Sequence, residues 1–144
     1  MRYSILPGLV LLLLSSLTNN AYAVTRHWPV ELFDVMDNHT LVIFLGDEDI
    51  SKSPKWMPSE GRPPLTIEGA LKYAREWISH DSSLSKAKVH EIELKPVHNH
   101  EKEHSWYYLI QLHTTNNNKT TAHYIAILFN GKVVPAIVKP TSYK

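Results

Sequence analysis

PPLTIEGALKYAREWISH, residues 63–80, decides the fold class of this chain. Ile67, Ala70, Leu71, Ala74, Trp77 and Ile78 recur at three- and four-residue spacing, which sets them on one face of an α-helix. Glu68, Lys72, Arg75, Glu76 and Ser79 fall on the other face, with Glu68–Lys72 and Lys72–Glu76 spaced to pair along it. Pro63-Pro64 stops whatever precedes, Thr66 is placed as an N-cap, and Leu65 before it can close over Ala70 as a hydrophobic staple. His80-Asp81-Ser82-Ser83 ends the period with turn chemistry. A helix with a single apolar stripe needs a surface to bury it against.

Working outward, the downstream chain supplies that surface as strands. Lys88 to Lys95 alternates, with His90, Ile92 and Leu94 on one face and Glu91, Glu93 and Lys95 on a wet one. Ser105 to His113 sets Trp106, Tyr108, Ile110 and Leu112 against Tyr107, Leu109, Gln111 and His113. Asn116 to Lys119 is a polar turn, followed by strands at Ala122–Phe129 and Lys132–Val138. Asn130-Gly131 between those two predicts a type I′ hairpin, with positive φ at both residues. Pro135 has no N–H, which makes the last strand an edge or a bulged one.

Upstream, Val24 to Asp37 is mixed and accommodates a short helical turn. Thr40 to Leu45 is a β-branched apolar run ended by Gly46, the pattern of a strand buried on both faces. Gly46 to Pro64 is expected as a long loop holding four prolines, pinned to the body by Trp56 and Met57. The expected architecture is α+β, one main amphipathic helix packed on a four- to five-stranded antiparallel sheet. Residues 24–144 form one domain, with an N-terminal strand and loop over 24–64 and the helix plus sheet over 65–138.

From Leu65 to Val138, one helix followed by four antiparallel strands resembles the PepSY-like and cystatin-like modules in order. The Tyr124–Val134 end, a strand and then Asn-Gly-Lys-Val-Val, is similar to the closing strand and Gly-Lys-Val element of the PepSY family. Asn130 stands where that family usually carries a short acidic residue. The resemblance implies a small exported module without catalytic residues, of a kind implicated in restraining proteases or other extracytoplasmic proteins.

Residues 1–23 carry the marks of a cleaved leader: Arg2, an apolar run from Ile5 to Leu17, and the small-x-small site Ala21-Tyr22-Ala23. The run is short for a bilayer span, so the expected product is exported, periplasmic or secreted, with no stable membrane anchor after cleavage. Losing that segment removes one basic residue and no acidic one, leaving 14 Lys+Arg against 14 Asp+Glu. That balance argues against nucleic acid and anionic membrane as partners. The chain has no cysteine, which excludes disulfides, a thiol nucleophile and thiolate metal sites. Asn38 and Asn118 each begin a glycosylation sequon, relevant only in a eukaryotic secretory pathway.

His100-Glu101-Lys102-Glu103-His104 matches the H-E-x-x-H pattern of zinc proteases. That chemistry requires a helix that sets both imidazoles on one face, with Glu activating the bound water. Here the match lies between Pro96 and a strand, in a polar segment without an apolar period, so a solvated hairpin loop is expected. His98, His100 and His104 with Glu101 and Glu103 keep open a metal-binding reading, which His90 and His113 join only if register permits. Asp47-Glu48-Asp49 begins like a calcium loop, but Lys52 and Pro58 occupy the positions that need Gly and Glu. No phosphate loop, dinucleotide fingerprint or nucleophile elbow occurs, so neither cofactor nor enzyme is expected. Two functions remain: a non-catalytic exported module binding a protein or peptide, with Trp56 and Tyr107 as candidate contacts, or a small metal-binding protein using the His98–His104 loop.

Overall fold

Residues 27–34 and 39–139 are described by the structure, a computed structural model of the chain. The expected leader and cleavage site, the ends of the Val24–Asp37 stretch and Asn38 lie outside those residues. The decisive helix, α2, runs Ile67–Ser79, and its predicted N-cap forms: the Thr66 hydroxyl accepts from the Gly69 N–H at 3.1 Å. Ala70 and Ala74 are fully buried, with Leu71, Trp77 and Ile78 packed partly buried beside them. Ile67 departs from expectation. It opens the helix at the rim of the core and is 54% exposed.

Strands β1 (His27–Asp34), β2 (His39–Gly46), β3 (Lys88–Pro96), β4 (Trp106–Asn116), β5 (Lys119–Leu128), β6 (Val133–Pro135) and β7 (Ile137–Val138) form the rest of the frame. The helical turn expected within Val24–Asp37 is a strand over His27–Asp34, because this segment pairs along its length with β2. Among the described residues the fold is mixed α+β, with one main helix and two antiparallel sheets in the orders β1-β2-β7 and β3-β4-β5-β6. A single sheet of four to five strands was expected. Two form because the last strand divides at Ala136. Its N–H still bonds Tyr124 O of β5 at 2.8 Å, whereas Ile137 and Val138 pair with Val42 and Leu41 of β2. Pro135 falls at this division on the edge strand β6, where a missing N–H costs the ladder least.

The central strands of the four-stranded sheet, β4 and β5, are buried on both faces. Tyr108, Ile110, Leu112, Ile125 and Ile127 share a core with Ala70, Ala74, Trp56 and Phe129. Tyr107, Leu109, Ala126 and Leu128, alternate to those, share a second core with Ile43 and Leu45 of β2, Ile50 and Val97. Tyr108 OH donates to Leu65 O at 2.8 Å, fixing the approach to α2 over β4.

The expected loop from Gly46 to Pro64 begins instead as a short helix, α1 (Asp47–Lys52), and carries a 3-10 turn at Pro58–Glu60. Trp56 pins it, packing edge-on against Trp106 and Phe129 at 5.5 and 6.2 Å between ring centres. The polar turn expected at Asn116–Lys119 forms, whereas the turn at Asn130-Gly131 differs in type. Asn117 and Asn118, between β4 and β5, both have positive φ, 48° and 62°. At Asn130-Gly131 only Gly131 does, at 86°. Gly131 N–H donates to Leu128 O at 2.8 Å and Leu128 N–H to Lys132 O at 3.0 Å, a three-residue loop closing on a bulged glycine in place of a type I′ turn.

Candidate functional site

The order β3-β4-β5-β6 leaves β3 without a second neighbour among the described residues, and its register sets which side chains line that edge. Ile92 opposes Ile110 and Leu94 opposes Tyr108, so both pack against the core that holds Ala70 and Ala74 of α2. A bulge between Val89 and Glu91 then shifts the alternation. Val89, opposite Leu112, takes the in-phase position expected for His90, and the bulge turns His90 onto His113. The resulting apolar row is Val89, 40% exposed, then Ile92 and Leu94, each half-buried.

Helix α2 passes closest to β5 and β6, with the Tyr73 ring against Gly131 in their connecting turn. Its first turn stands beside β3. Between them runs a groove of about 460 Å³, floored by Ile92, Leu94 and Tyr108 and walled by Pro63, Ile67 and Glu68. Arg62 and Glu68 place one charge of each sign at its margin. A strand edge beside an apolar groove under a helix provides main-chain pairing together with side-chain pockets. Sequence reasoning missed Ile67 as a surface residue. The signal was its place as the first residue after the cap, where a helix overhangs its sheet.

The predicted candidates lie elsewhere. Tyr107, a candidate contact, is 3% exposed because β1–β2 cover its face. Burial first, and the Glu93 carboxylate second, push its phenol up to about 12. Trp56 is 7% exposed and faces the core.

The histidine segment forms a 3-10 turn at Glu101–Glu103, ending at His104 in the left-handed conformation (φ 55°), so the H-E-x-x-H residues occupy no α-helix. His98 Nδ1 lies 3.3 Å from Glu101 and His100 Nδ1 lies 2.8 Å from Glu103. Glu101 sits below the usual carboxylate range, chiefly through a backbone hydrogen bond within its turn. His100 is 12% exposed on its side chain, so it is packed rather than solvated. The His104 carbonyl accepts from Trp56 N–H at 3.0 Å, and the Lys55 ammonium donates to Ser105 Oγ at 2.7 Å. This turn therefore seats the 53–57 segment. Among the described residues no cluster of three or more His, Asp or Glu is arranged to hold a metal ion. His90 and His113 do not reach the turn. They stack 4.0 Å apart near the Lys88 end of the β3–β4 hairpin, whereas the turn joins Pro96 to Trp106.

A second cavity, about 420 Å³, is lined by Asp81, Ser83, His123, His39 and Trp77 among others. It holds the residue types of a nucleophilic triad but not the relay. Ser83 Oγ and N–H both donate to Asp81 Oδ1, at 2.6 and 2.9 Å, and His123 Nε2 pairs with Thr114 Oγ1 at 2.9 Å. A nucleophilic serine needs its hydroxyl on the imidazole. The Ser83 hydrogen bonds hold the Asp81 carboxyl below its ordinary value, and the pair caps the 3-10 turn at Ser82–Leu84. No protein-family model, curated protein or solved structure matches this chain.

Proposed function

We propose that this chain is an exported, non-catalytic interaction module that binds an extended segment of a protein or peptide partner along β3. The observation that carries the reading is the open edge of β3 beside the apolar groove under the first turn of α2. An added strand completes main-chain hydrogen bonds that the edge leaves to solvent, and its apolar side chains cover Ile67, Ile92 and Leu94. In this reading residues 24–144 act as one domain, with α2 held on the β3–β6 sheet by Ala70 and Ala74. Export rests on the leader pattern at residues 1–23. The order α2-β3-β4-β5-β6 supports kinship in architecture with the PepSY-like and cystatin-like modules.

Ile67→Lys tests the reading, since it places a charge at the groove mouth without entering the core. Covering the exposed half of an isoleucine contributes about 1 kcal/mol, several-fold in Kd, and a buried unpaired ammonium adds to the loss. Partners captured from the native extracytoplasmic extract by wild type are expected to be lost with Ile67→Lys and kept with Lys72→Ala. Equal capture by all three contradicts the reading.

A further inference from the structure

We infer that the segment which docks on β3 is β3 of a second copy of the same chain, running antiparallel across a two-fold axis through Leu94. This rests on the reading of β3 as the interaction surface and names its partner.

Pairing must set apolar face against apolar face, and a slip of one residue exchanges the faces. For two antiparallel copies of one strand, that rule places the axis on a residue, leaving a short set of registers to compare. An axis through Ile92 sets Glu91 opposite the second copy's Glu93 twice. Through Glu93 it sets the two Glu93 carboxylates opposite each other, and through Lys95 the two ammonium groups. Through Leu94, Glu93 opposes the second copy's Lys95 and Lys95 opposes its Glu93, while Leu94 meets Leu94 and Ile92 meets Pro96. Unlike charges directly opposite stabilise a strand pair, and like charges destabilise it. Only the Leu94 register of this set is free of like-charge opposition.

The local structure favours the same half of the strand. Glu93 and Lys95 already lie on one face, 2.7 Å apart, with side chains 42% and 39% exposed, so they can regroup into pairs across the axis. The bulge at Val89/Glu91 blunts the other half, confining regular pairing to Ile92–Pro96. Pro96, without an N–H, ends the paired span. The contact is isologous, so each copy contributes the same groove and the same row of apolar residues.

Sedimentation of the mature chain over a dilution series tests the inference. Wild type is expected at twice the chain mass at high concentration. Glu93→Lys alone and Lys95→Glu alone each set like charges opposite one another and should sediment at half that mass. Both side chains are about two-fifths exposed, and circular dichroism checks that each variant folds. Mixing the two variants restores the doubled mass, because one copy then presents two lysines to the other's two glutamates. The double variant Glu93→Lys with Lys95→Glu also restores it. A wild type monomeric at every concentration, or a dimer indifferent to these reversals, overturns the inference. If that monomer still captures partners in an Ile67-dependent way, the reading of β3 as the interaction surface survives. If capture is also lost, both fall.

Discussion

Tyr107 and Tyr108 are neighbours on β4, each buried, each facing a different core. Burial raises both phenols, and Tyr107 reaches about 12. A folded-state value above the unfolded value of 10.0 means the fold favours the neutral phenol. The contribution is complete below pH 10 and is lost as pH rises toward 12. Absorbance titration of phenolate should therefore show tyrosines ionising late, and Tyr107→Phe should remove one of them. A Tyr107 that titrates with the exposed tyrosines would mean that β1–β2 do not cover it. His100 gives a second prediction at this scale. Being 12% exposed and bonded to Glu103, it should cost about 1 kcal/mol on conversion to Ala, where the exposed His104→Ala stays within about 0.5. Chemical denaturation reads both. Alternation along Ser105–His113 told which side chains share a face. It did not tell whether a second layer covers that face, which is why Tyr107 stayed open as a candidate contact.

At the scale of elements, α2 was legible because its signals are local: a cap, a stripe and a turn that ends it. Thr66→Ala should cost about 1 kcal/mol through loss of the cap, whereas Lys72→Ala on the solvent face changes little. The β5–β6 turn was legible in position but not in type. Phe129 is drawn into the core and Asn130 is held by its own loop, its side-chain oxygen accepting from Lys132 N–H at 3.0 Å. Lys132 also pairs with Asp49 of α1 at 2.6 Å. Those long-range ties select a bulged glycine over the type I′ turn that Asn-Gly favours in isolation. Gly131→Ala should destabilise by about 1 kcal/mol or more, because φ is 86° and a Cβ would lie 2.5 Å from the Tyr73 ring. Adding Tyr73→Ala should recover part of that loss, and a thermal melt of both variants measures it.

For the whole molecule, composition and periodicity reached an α+β chain with antiparallel strands, while the number of sheets was out of reach. The division at Ala136 depends on which of two partners a continuous apolar run meets, β5 or β2, and nothing local in Val133–Val138 encodes that choice. The open edge of β3 was hidden for the same reason. Residue spacing gives faces, but strand order decides which strand lacks a neighbour. The histidine turn shows the reverse case, a motif loud in sequence whose backbone serves to seat Trp56. The central claim, that β3 and its groove form the binding surface, is tested most directly by site-specific photo-cross-linking in the native compartment. A photoreactive residue at Ile67 or Lys95 should give discrete adducts, whether with a second copy or with another protein, while one at Lys72 or Arg75 on the outer face of α2 gives none. Adducts from the helix positions with none from Ile67 or Lys95 would contradict it.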